Sequence, residues 1–387
     1  MGTRHYLDHA SSAPLRPVAA EAISSWAREG SYADPGRQHV EGRTVRDALE
    51  DARRAVASLV GARPREVVLT SGGTESANCA CSLASGSARR RGPMICPASE
   101  HSSVRLAARR AGPVVEIGID RLGRVDLEAL ERALAEPGDD GPPVLVHCQM
   151  ANHEVGTVQP VASVVEASHR HGVPVHVDAC AALGHVAVDV EEIGAELVSL
   201  SAHKIGGPPG VGALVVRRPV RLAPLLLGGD QERGRRAGME NVPGILAFGA
   251  VARELAIPGA VESEAARARA RTEVLLHAAC SLDGVVAYGD LSRRVPHVVC
   301  VGVAGVQAEA VVLGLDQEGI AVHSGSACSS EAFEPSPVLE AMGADAERSL
   351  RISVGWSTTD EDVAAFARSF PEVVGRLRAL ASLPRGR

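Results

Sequence analysis

The chain has 387 residues, of which 45% are hydrophobic, 22% are charged and 2% are aromatic, and its formal net charge is −7. This length suits two folded units with aliphatic cores, and the composition is that of a globular protein. The acidic balance, without a long basic block, argues against direct nucleic-acid binding, and the lack of an apolar run of about 18 residues argues against a membrane span.

Eight cysteines are spread along the chain without a CxxC pair. This spacing predicts neither a zinc site nor a disulfide framework. Most of the cysteines lie in apolar stretches, as reduced core residues do. The first residues, MGTRHYLDHASS, lack the apolar core of a signal peptide. We therefore expect a cytoplasmic protein without a bound metal.

Seven short aliphatic runs, each bounded by Gly or Pro, alternate with amphipathic segments through the middle of the chain. The runs are residues 66–70, 93–97, 113–118, 143–150, 174–179, 196–202 and 212–218. The clearest helical segments between them are residues 74–85, 102–111, 126–135 and 161–171. Strand–helix alternation predicts an α/β fold with a seven-stranded, mainly parallel sheet covered by helices. A Gly/Pro turn joins the last two runs, which suits an antiparallel pair.

After Gly229 the pattern changes to a mixture of helices and strands. Helical patterns cover residues 243–256, 262–280, 308–318 and 359–380, and apolar strand patterns cover residues 295–303 and 349–355. This mixture predicts a smaller α+β domain. We place the large domain at 15–256 and the small domain at 1–14 and 257–387.

The motif TSGGTESAN, at 70–78, follows the first strand run. Gly72 and Gly73 permit an unusual turn, and Thr74 opens a helix whose first N–H groups are free to bind an anion. The motif is therefore typical of a phosphate cradle. A glycine turn with an ordinary helix cap is the alternative for this motif alone.

Lys204 is the only lysine among the 40 Lys and Arg residues of the chain. It follows the sixth strand run, in SAHKIGG, at the sheet edge where ligands bind in open α/β sheets. Arginine replaces lysine wherever only charge is needed, whereas a lysine amine can lose its proton and act as a nucleophile. A reactive role for Lys204 is therefore favoured over that of a surface cation.

Asp178 ends the strand run before it, and a carboxylate there needs a cation or a donor. A helix cap is the alternative role for Asp178, and a helix-start histidine is the alternative for His101, in SEHSSV. Together, a phosphate cradle, a strand-end carboxylate and one lysine indicate pyridoxal phosphate. In this hypothesis Lys204 binds the cofactor covalently, Asp178 binds the ring nitrogen and His101 stacks on the ring. The predicted phosphate site comprises Gly73, Thr74, Ser201 and His203.

Cys328 differs from the other cysteines because it lies among Gly and Ser, in VHSGSACSSEAFEPS at 322–336. Small residues predict a mobile, solvent-reached loop, and an exposed thiol can ionise and attack. An incidental loop cysteine is the alternative. Arg351, in LRISVG, can hold a substrate carboxylate by a fork of hydrogen bonds, although a surface arginine is its default interpretation.

The sequence resembles the cysteine desulfurases of the NifS/IscS group, which are fold-type I pyridoxal phosphate-dependent transferases. The resemblance covers nearly the whole chain, and SGSAC with its long following loop resembles the first class of these enzymes. The shared motifs are YLDHASSAP (6–14), TSGGTESAN (70–78), Glu100-His101, NHEVGTVQP (152–160), HVDA (176–179), SAHKIGGPPGVGAL (201–214), GGDQERGRRAGMENVP (228–243), SGSACSS (324–330) and LRISVGWSTT (350–359).

This resemblance implies a homodimer that converts L-cysteine to L-alanine. It implies that Lys204 holds the cofactor, that His101 stacks on it and moves protons, and that Arg351 binds the substrate carboxylate. Cys328 would take the sulfur as a persulfide and pass it to an acceptor protein. Iron–sulfur assembly, tRNA thiolation and DNA phosphorothioation are the candidate pathways.

Four positions depart from the usual pattern of that group. His153 stands where an Asn near the cofactor is usual, and it can replace that Asn as a donor. The other three departures are Asp34, Ala181 and Met239. Two alternatives stay open, namely a selenocysteine lyase or another pyridoxal phosphate enzyme, and a non-enzymatic scaffold or redox-sensing partner that retains the fold. The departures at His153, Ala181 and Met239 favour the second alternative.

Overall fold

A computed structural model of the chain describes residues 4–29, 32–86, 92–136, 138–325 and 335–382. Its strands are β1 (His5–Tyr6), β2 (Val67–Thr70), β3 (Met94–Pro97), β4 (Val114–Ile117), β5 (Leu145–Gln149), β6 (Val175–Asp178), β7 (Leu197–Ser201), β8 (Gly212–Val216), β9 (Val285–Tyr288), β10 (Val298–Val303), β11 (Ile320–Ala321), β12 (His323–Ser324) and β13 (Ser349–Ser353). Its helices are α1 (Pro17–Arg28), α2 (Val40–Leu59), α3 (Gly73–Gly86), α4 (Ser102–Ala111), α5 (Leu127–Ala135), α6 (Val161–Arg170), α7 (Val190–Ile193), α8 (Gln231–Gly234), α9 (Val242–Leu255), α10 (Ala260–Cys280), α11 (Ala308–Gln317), α12 (Pro337–Ala341) and α13 (Asp360–Ala381).

The central sheet has seven strands in the order β2-β8-β7-β6-β5-β3-β4. Only β8 runs antiparallel to its neighbours, β2 and β7. The prediction of a mainly parallel seven-stranded α/β sheet is confirmed, and each of the seven predicted runs forms one strand.

Helices cover both faces of this sheet because its strands are apolar on both sides. Alternate residues of β2 show the division: Val67 and Leu69 pack into the core under α2, α6 and α9, and Val68 packs into the core under α3 and α4. A parallel sheet buried in this way leaves its strand ends as the places where polar side chains can gather.

Helix α2 is a long element that the sequence analysis did not predict. Its apolar positions, Val45, Leu49, Ala52 and Val56, recur at helical spacing and are all buried. Charged residues fill about half of the other positions, so the apolar stripe is a weak signal in the sequence. α2 approaches α9 so closely that a Cβ on Gly249 would lie 2.6 Å from the Cβ of Ala52.

The second sheet has four antiparallel strands in the order β12-β13-β10-β9. Helices α10, α11 and α13 pack against it through a separate apolar core. β1 pairs in parallel with β11, so the N-terminal residues lie with the C-terminal elements. The predicted domain limits at 15–256, 1–14 and 257–387 stay a prediction. Within the described ranges no single helix is long and apolar enough to cross a membrane, and only α9 and α10 together, across a bend of 83°, reach that length and composition.

Candidate active site

A cavity of about 550 Å³ opens at the carboxyl ends of β2, β5, β6 and β7. This is the edge at which open α/β sheets bind ligands. Nearly all of the predicted site residues line it. They are Gly73, Thr74, His101, His153, Asp178, Ser201, His203, Lys204 and Arg351. Cys328 lies outside the described residues.

The turn between β2 and α3 needs glycine for two reasons, the backbone conformation at Gly72 and the close packing at Gly73. Gly72 has φ of +150°, a conformation that favours glycine. A Cβ on Gly73 would lie 2.5 Å from the Sγ of Cys180, and a Cβ on Gly212 would lie 2.6 Å from the Cα of Gly72. The N-terminus of the 14-residue helix α3 is thereby exposed to the cavity, where its N–H groups and dipole favour an anion.

Gly73→Ala is expected to lower the free energy of unfolding by about 1–3 kcal/mol, because the new methyl group overlaps Cys180 Sγ. Urea denaturation of the purified protein measures this loss. Cys180→Ala removes the overlapping sulfur, so the double variant should recover most of the stability. An equal loss in the single and double variants would show that the clash is not the cause.

Asp178 ends β6 with its carboxylate at the cavity wall, and its Oδ1 accepts a hydrogen bond from the Cys180 N–H at 3.0 Å. Glu100 lies nearby and is buried, with one oxygen accepting from the Gln149 N–H and Oε2 without a partner among the described residues. Burial, and then the charge of Asp178, raise the pKa of Glu100 well above its usual value. Glu100 is therefore harder to ionise than an exposed carboxyl group, which limits the negative charge beside Asp178.

Lys204 lies in the turn between β7 and β8, and the N-terminal segment holds this turn on both sides. The Ala13 N–H donates to the His203 carbonyl at 2.9 Å, and the Arg16 N–H donates to the Gly206 carbonyl at 2.8 Å. The Arg16 side chain adds a bond from Nε to the Ile205 carbonyl at 2.8 Å. The backbone on either side of Lys204 is thus fixed before any ligand binds.

Ser201 and His203 flank this turn on the cavity side, with 2.8 Å between Ser201 Oγ and His203 Nδ1. Burial, and then the charge of Lys204, lower the pKa of His203 to about 4. Its imidazole is therefore neutral at neutral pH. A neutral imidazole and a hydroxyl are both able to donate to a phosphate oxygen.

His101 and His153 meet edge to face, with ring centroids 4.9 Å apart and planes at 73°. His101 Nδ1 accepts from the Ser103 N–H at 3.1 Å, so the neutral ring carries its proton on Nε2. Burial, followed by Lys204, lowers the pKa of His101. Burial, followed by His101 and Lys204, lowers the pKa of His153 well below its usual value, and His153 Nδ1 has no partner among the described residues.

Arg351 brings a buried guanidinium to the wall of the cavity, with 4% of its surface exposed. Nη1 donates to the His153 carbonyl at 3.0 Å, and Nη2 donates to Asp8 Oδ1 at 2.9 Å and to Ser11 Oγ at 2.6 Å. The charge of Arg351 is therefore only partly balanced by Asp8. This arrangement suits a carboxylate ligand.

The donor set of the cavity fits pyridoxal phosphate. The α3 N-terminus with Ser201 and His203 suits the phosphate, Asp178 suits a protonated ring nitrogen, and Lys204 supplies the single amine. The unpartnered, buried Nδ1 of His153 marks a wall where a polar group of a ligand would be satisfied.

Several residues that line this cavity or bond to its wall had no role assigned from the sequence. Gln149 could have been found, because it is a polar residue at a strand end, like Asp178. Asp8 and Ser11 belong to a shared motif but had no assigned role, because their contact with Arg351 joins residues about 340 positions apart. Of the departing positions, Ala181 lines the cavity, and Met239 is 58% exposed.

Comparison with known proteins agrees with this geometry. The aminotransferase class-V family profile matches residues 5–366. The chain is 37% identical over 388 residues to cysteine desulfurase IscS 1 of Archaeoglobus fulgidus, across 98% of this chain and 99% of that protein. It is 34% identical over 383 residues to cysteine desulfurase IscS of Dictyoglomus turgidum, across 97% of this chain and 95% of that protein.

Solved structures show the same fold. A NifS-like protein superposes with a TM-score of 0.88 at 30% identity, across 97% of this chain and 100% of that chain. SspA in complex with cysteine superposes with a TM-score of 0.76 at 27% identity, across 91% of this chain and 99% of that chain.

Proposed function

This chain belongs to the aminotransferase class-V family and to its pyridoxal phosphate-dependent cysteine desulfurases, and we propose that it converts L-cysteine to L-alanine while Cys328 takes the sulfur as a persulfide. The observation that carries the proposal is the placement of the sole lysine, Lys204, in one cavity with Asp178 and Arg351. An amine that can bind the cofactor, a carboxylate for its ring nitrogen and a cation for the substrate carboxylate together suit a reaction on an amino acid.

Bound pyridoxal phosphate supplies an electron sink for charge that develops at the substrate Cα. The residues of the chain bind and orient the reactants around it. Arg351 holds the substrate carboxylate, and Lys204 and His101 move protons at the substrate. Because His101 is neutral and its Nδ1 accepts from the Ser103 N–H, Nε2–H is the hydrogen-bond donor of this ring in the cavity.

In the sulfur transfer, one thiol and one cysteine give one persulfide and one alanine. The Cys328 thiolate forms a bond to the substrate sulfur, and the bond between that sulfur and Cβ breaks. The transferred sulfur is oxidised and Cβ is reduced, taking a proton to become the methyl group of alanine. A second thiol can then remove the sulfur from Cys328 by exchange.

Cys328→Ala is expected to slow sulfide release from L-cysteine in the presence of a thiol by at least about 100-fold, because the attacking thiolate is lost. Cofactor absorbance should be unchanged. Sulfide and alanine assays on the holoenzyme measure the effect. Cys280→Ala serves as the matched control, since Cys280 is an exposed free thiol away from the cavity. Sulfide release by Cys328→Ala at the parent rate would contradict the proposal.

The acceptor, the assembly and the compartment are further parts of this proposal. An acceptor protein suits the acidic net charge of −7 better than direct contact with DNA or tRNA does. A homodimer is supported by the exposed apolar run Leu225, Leu226 and Leu227, and sedimentation equilibrium tests it. Cytoplasmic localisation is supported by seven described cysteines that are all free thiols.

A further inference from the structure

The guanidinium of Arg351 has most of its hydrogen-bond donors occupied by the protein. Its two Nη2 hydrogens go to Asp8 Oδ1 and Ser11 Oγ, and one Nη1 hydrogen goes to the His153 carbonyl. Nε–H is buried and finds no acceptor among the described residues. One Nη1 hydrogen and Nε–H therefore have no partner among the described residues, and Ser11 Oγ lies against the same guanidinium at Nη2.

Ser11 lies on the wall of the same cavity, and its side chain is half-buried there. Its Oγ accepts from Arg351 Nη2 at 2.6 Å. A hydroxyl can accept and donate at the same time. The Ser11 O–H is thus left as a donor for an acceptor that binds at this guanidinium in the cavity.

Electrostatics makes such a neutral donor valuable at this place. Asp8 lies 2.9 Å from Nη2 and already offsets part of the positive charge of Arg351. A substrate carboxylate must share that guanidinium with Asp8, and the two negative groups repel each other. A hydroxyl adds a hydrogen bond to the ligand without adding charge, and hydrogen bonds to charged groups are the stronger ones.

We propose that Ser11 is a substrate-binding residue, whose hydroxyl donates to the α-carboxylate held by Arg351. The inference rests on the proposed function, because it takes Arg351 as the carboxylate site. It assigns to Ser11 the recognition of the carboxylate and no part in the sulfur transfer.

Ser11→Ala is expected to raise the KM for L-cysteine about tenfold and to leave kcat within about twofold, as loss of one charge-assisted hydrogen bond in the bound substrate would do. Ser11→Thr keeps the hydroxyl and should stay within about threefold of the parent KM. Ser12→Ala is the matched control, because Ser12 is the next residue and its side chain makes no hydrogen bond to Arg351 within the described part of the chain.

A second readout separates carboxylate recognition from a structural effect. L-alanine and ethylamine differ only by the carboxylate, and both can be titrated as competitive inhibitors of the holoenzyme. In Ser11→Ala the inhibition constant of L-alanine should rise about tenfold, whereas that of ethylamine should not change. A structural defect would weaken both ligands equally.

An unchanged or lowered KM in Ser11→Ala, or an equal loss for L-alanine and ethylamine, would overturn the role of Ser11 while leaving the desulfurase proposal intact. If the parent protein itself makes no alanine from L-cysteine, the proposed function fails, and the role of Ser11 fails with it.

Discussion

Lys204→Arg is expected to lower the rate of alanine formation from L-cysteine by at least about 10³-fold, although the substitution preserves the positive charge. A guanidinium stays protonated in proteins, so it can neither bind an aldehyde covalently nor accept a proton from the substrate. The variant should also lose the covalent attachment of the cofactor. Alanine assays and borohydride reduction followed by peptide mapping measure the two effects.

The expected loss does not depend on misfolding, because the turn that carries Lys204 is held by the backbone and not by the lysine side chain. Ala13 and Arg16 bond to the His203, Ile205 and Gly206 carbonyls. Urea denaturation of Lys204→Arg should therefore give the parent midpoint. A variant that unfolds earlier would show that the side chain also has a structural role.

The composition of this chain provides an unusual control for the labelling. Lys204 is the only lysine, so borohydride reduction should attach the cofactor, which serves as the label, to a single lysine of the parent protein. Arg110→Lys adds a second lysine on an exposed face of α4. Label in this variant should remain at Lys204. Label on the introduced α4 amine as well would mean that an available amine, and not the cavity around Lys204, decides where the cofactor binds.

The central sheet was predictable because each of its strands is specified by one short, continuous stretch of the sequence. Each run between 66 and 218 is apolar, short and bounded by Gly or Pro, and each became one strand. Lys204 and Asp178 were predictable for a related reason, since a polar residue directly after a buried strand must lie at the sheet edge. The cavity brings these strand ends together.

The remaining parts of the site depend on contacts that sequence spacing does not reveal. Ser11 and Asp8 reach Arg351 only because β1 pairs with β11 and Asp8 bridges to Ser353. Strands of two residues carry no periodicity, so this pairing gave no signal. The position of Cys328 relative to Lys204 stays a prediction, because Cys328 lies outside the described residues.

Four imidazoles that the mechanism does not use lie in the interior of the protein, where His147, His176 and His297 are buried and His185 is half-buried. His147 and His176 approach with 2.9 Å between their Nδ1 atoms, and His176 Nε2 lies 2.8 Å from Ser199 Oγ. His185 and His297 stack with ring centroids 3.4 Å apart. Burial lowers the pKa of His147 and of His185 to about 3. Burial also lowers the pKa of His176 and of His297 well below the usual value.

These four groups should make the fold sensitive to mild acid. In the unfolded chain each histidine binds a proton near pH 6.5, whereas in the folded chain it stays neutral. The four neutral histidines therefore cost no stability above pH 6.5. The free energy of unfolding decreases as the pH falls from 6.5 toward the pKa of each histidine in the folded chain. Between pH 7 and pH 5 the loss is about 2 kcal/mol for each histidine whose folded pKa lies near 3, which are His147 and His185. His176 and His297 act in the same direction.

The double variant His147→Leu/His176→Leu isolates half of this effect. Replacing both histidines by apolar groups removes their mutual contact but leaves the buried Ser199 Oγ without its His176 partner, at a cost of about 1–3 kcal/mol. The variant should therefore fold at pH 7 with somewhat lower stability, and that loss is the same at each pH. Urea denaturation at pH 7, 6 and 5 should then show at least about 2 kcal/mol less acid destabilisation than in the parent, which is the share of His147 alone. Glu100 and Glu154, whose pKa values burial raises, act in the opposite direction, but they are common to both proteins and cancel in the comparison. His277→Gln, at an exposed position of α10, should leave the pH dependence unchanged. If the double variant loses stability in acid as steeply as the parent, the buried neutral pair is not the source of the acid sensitivity.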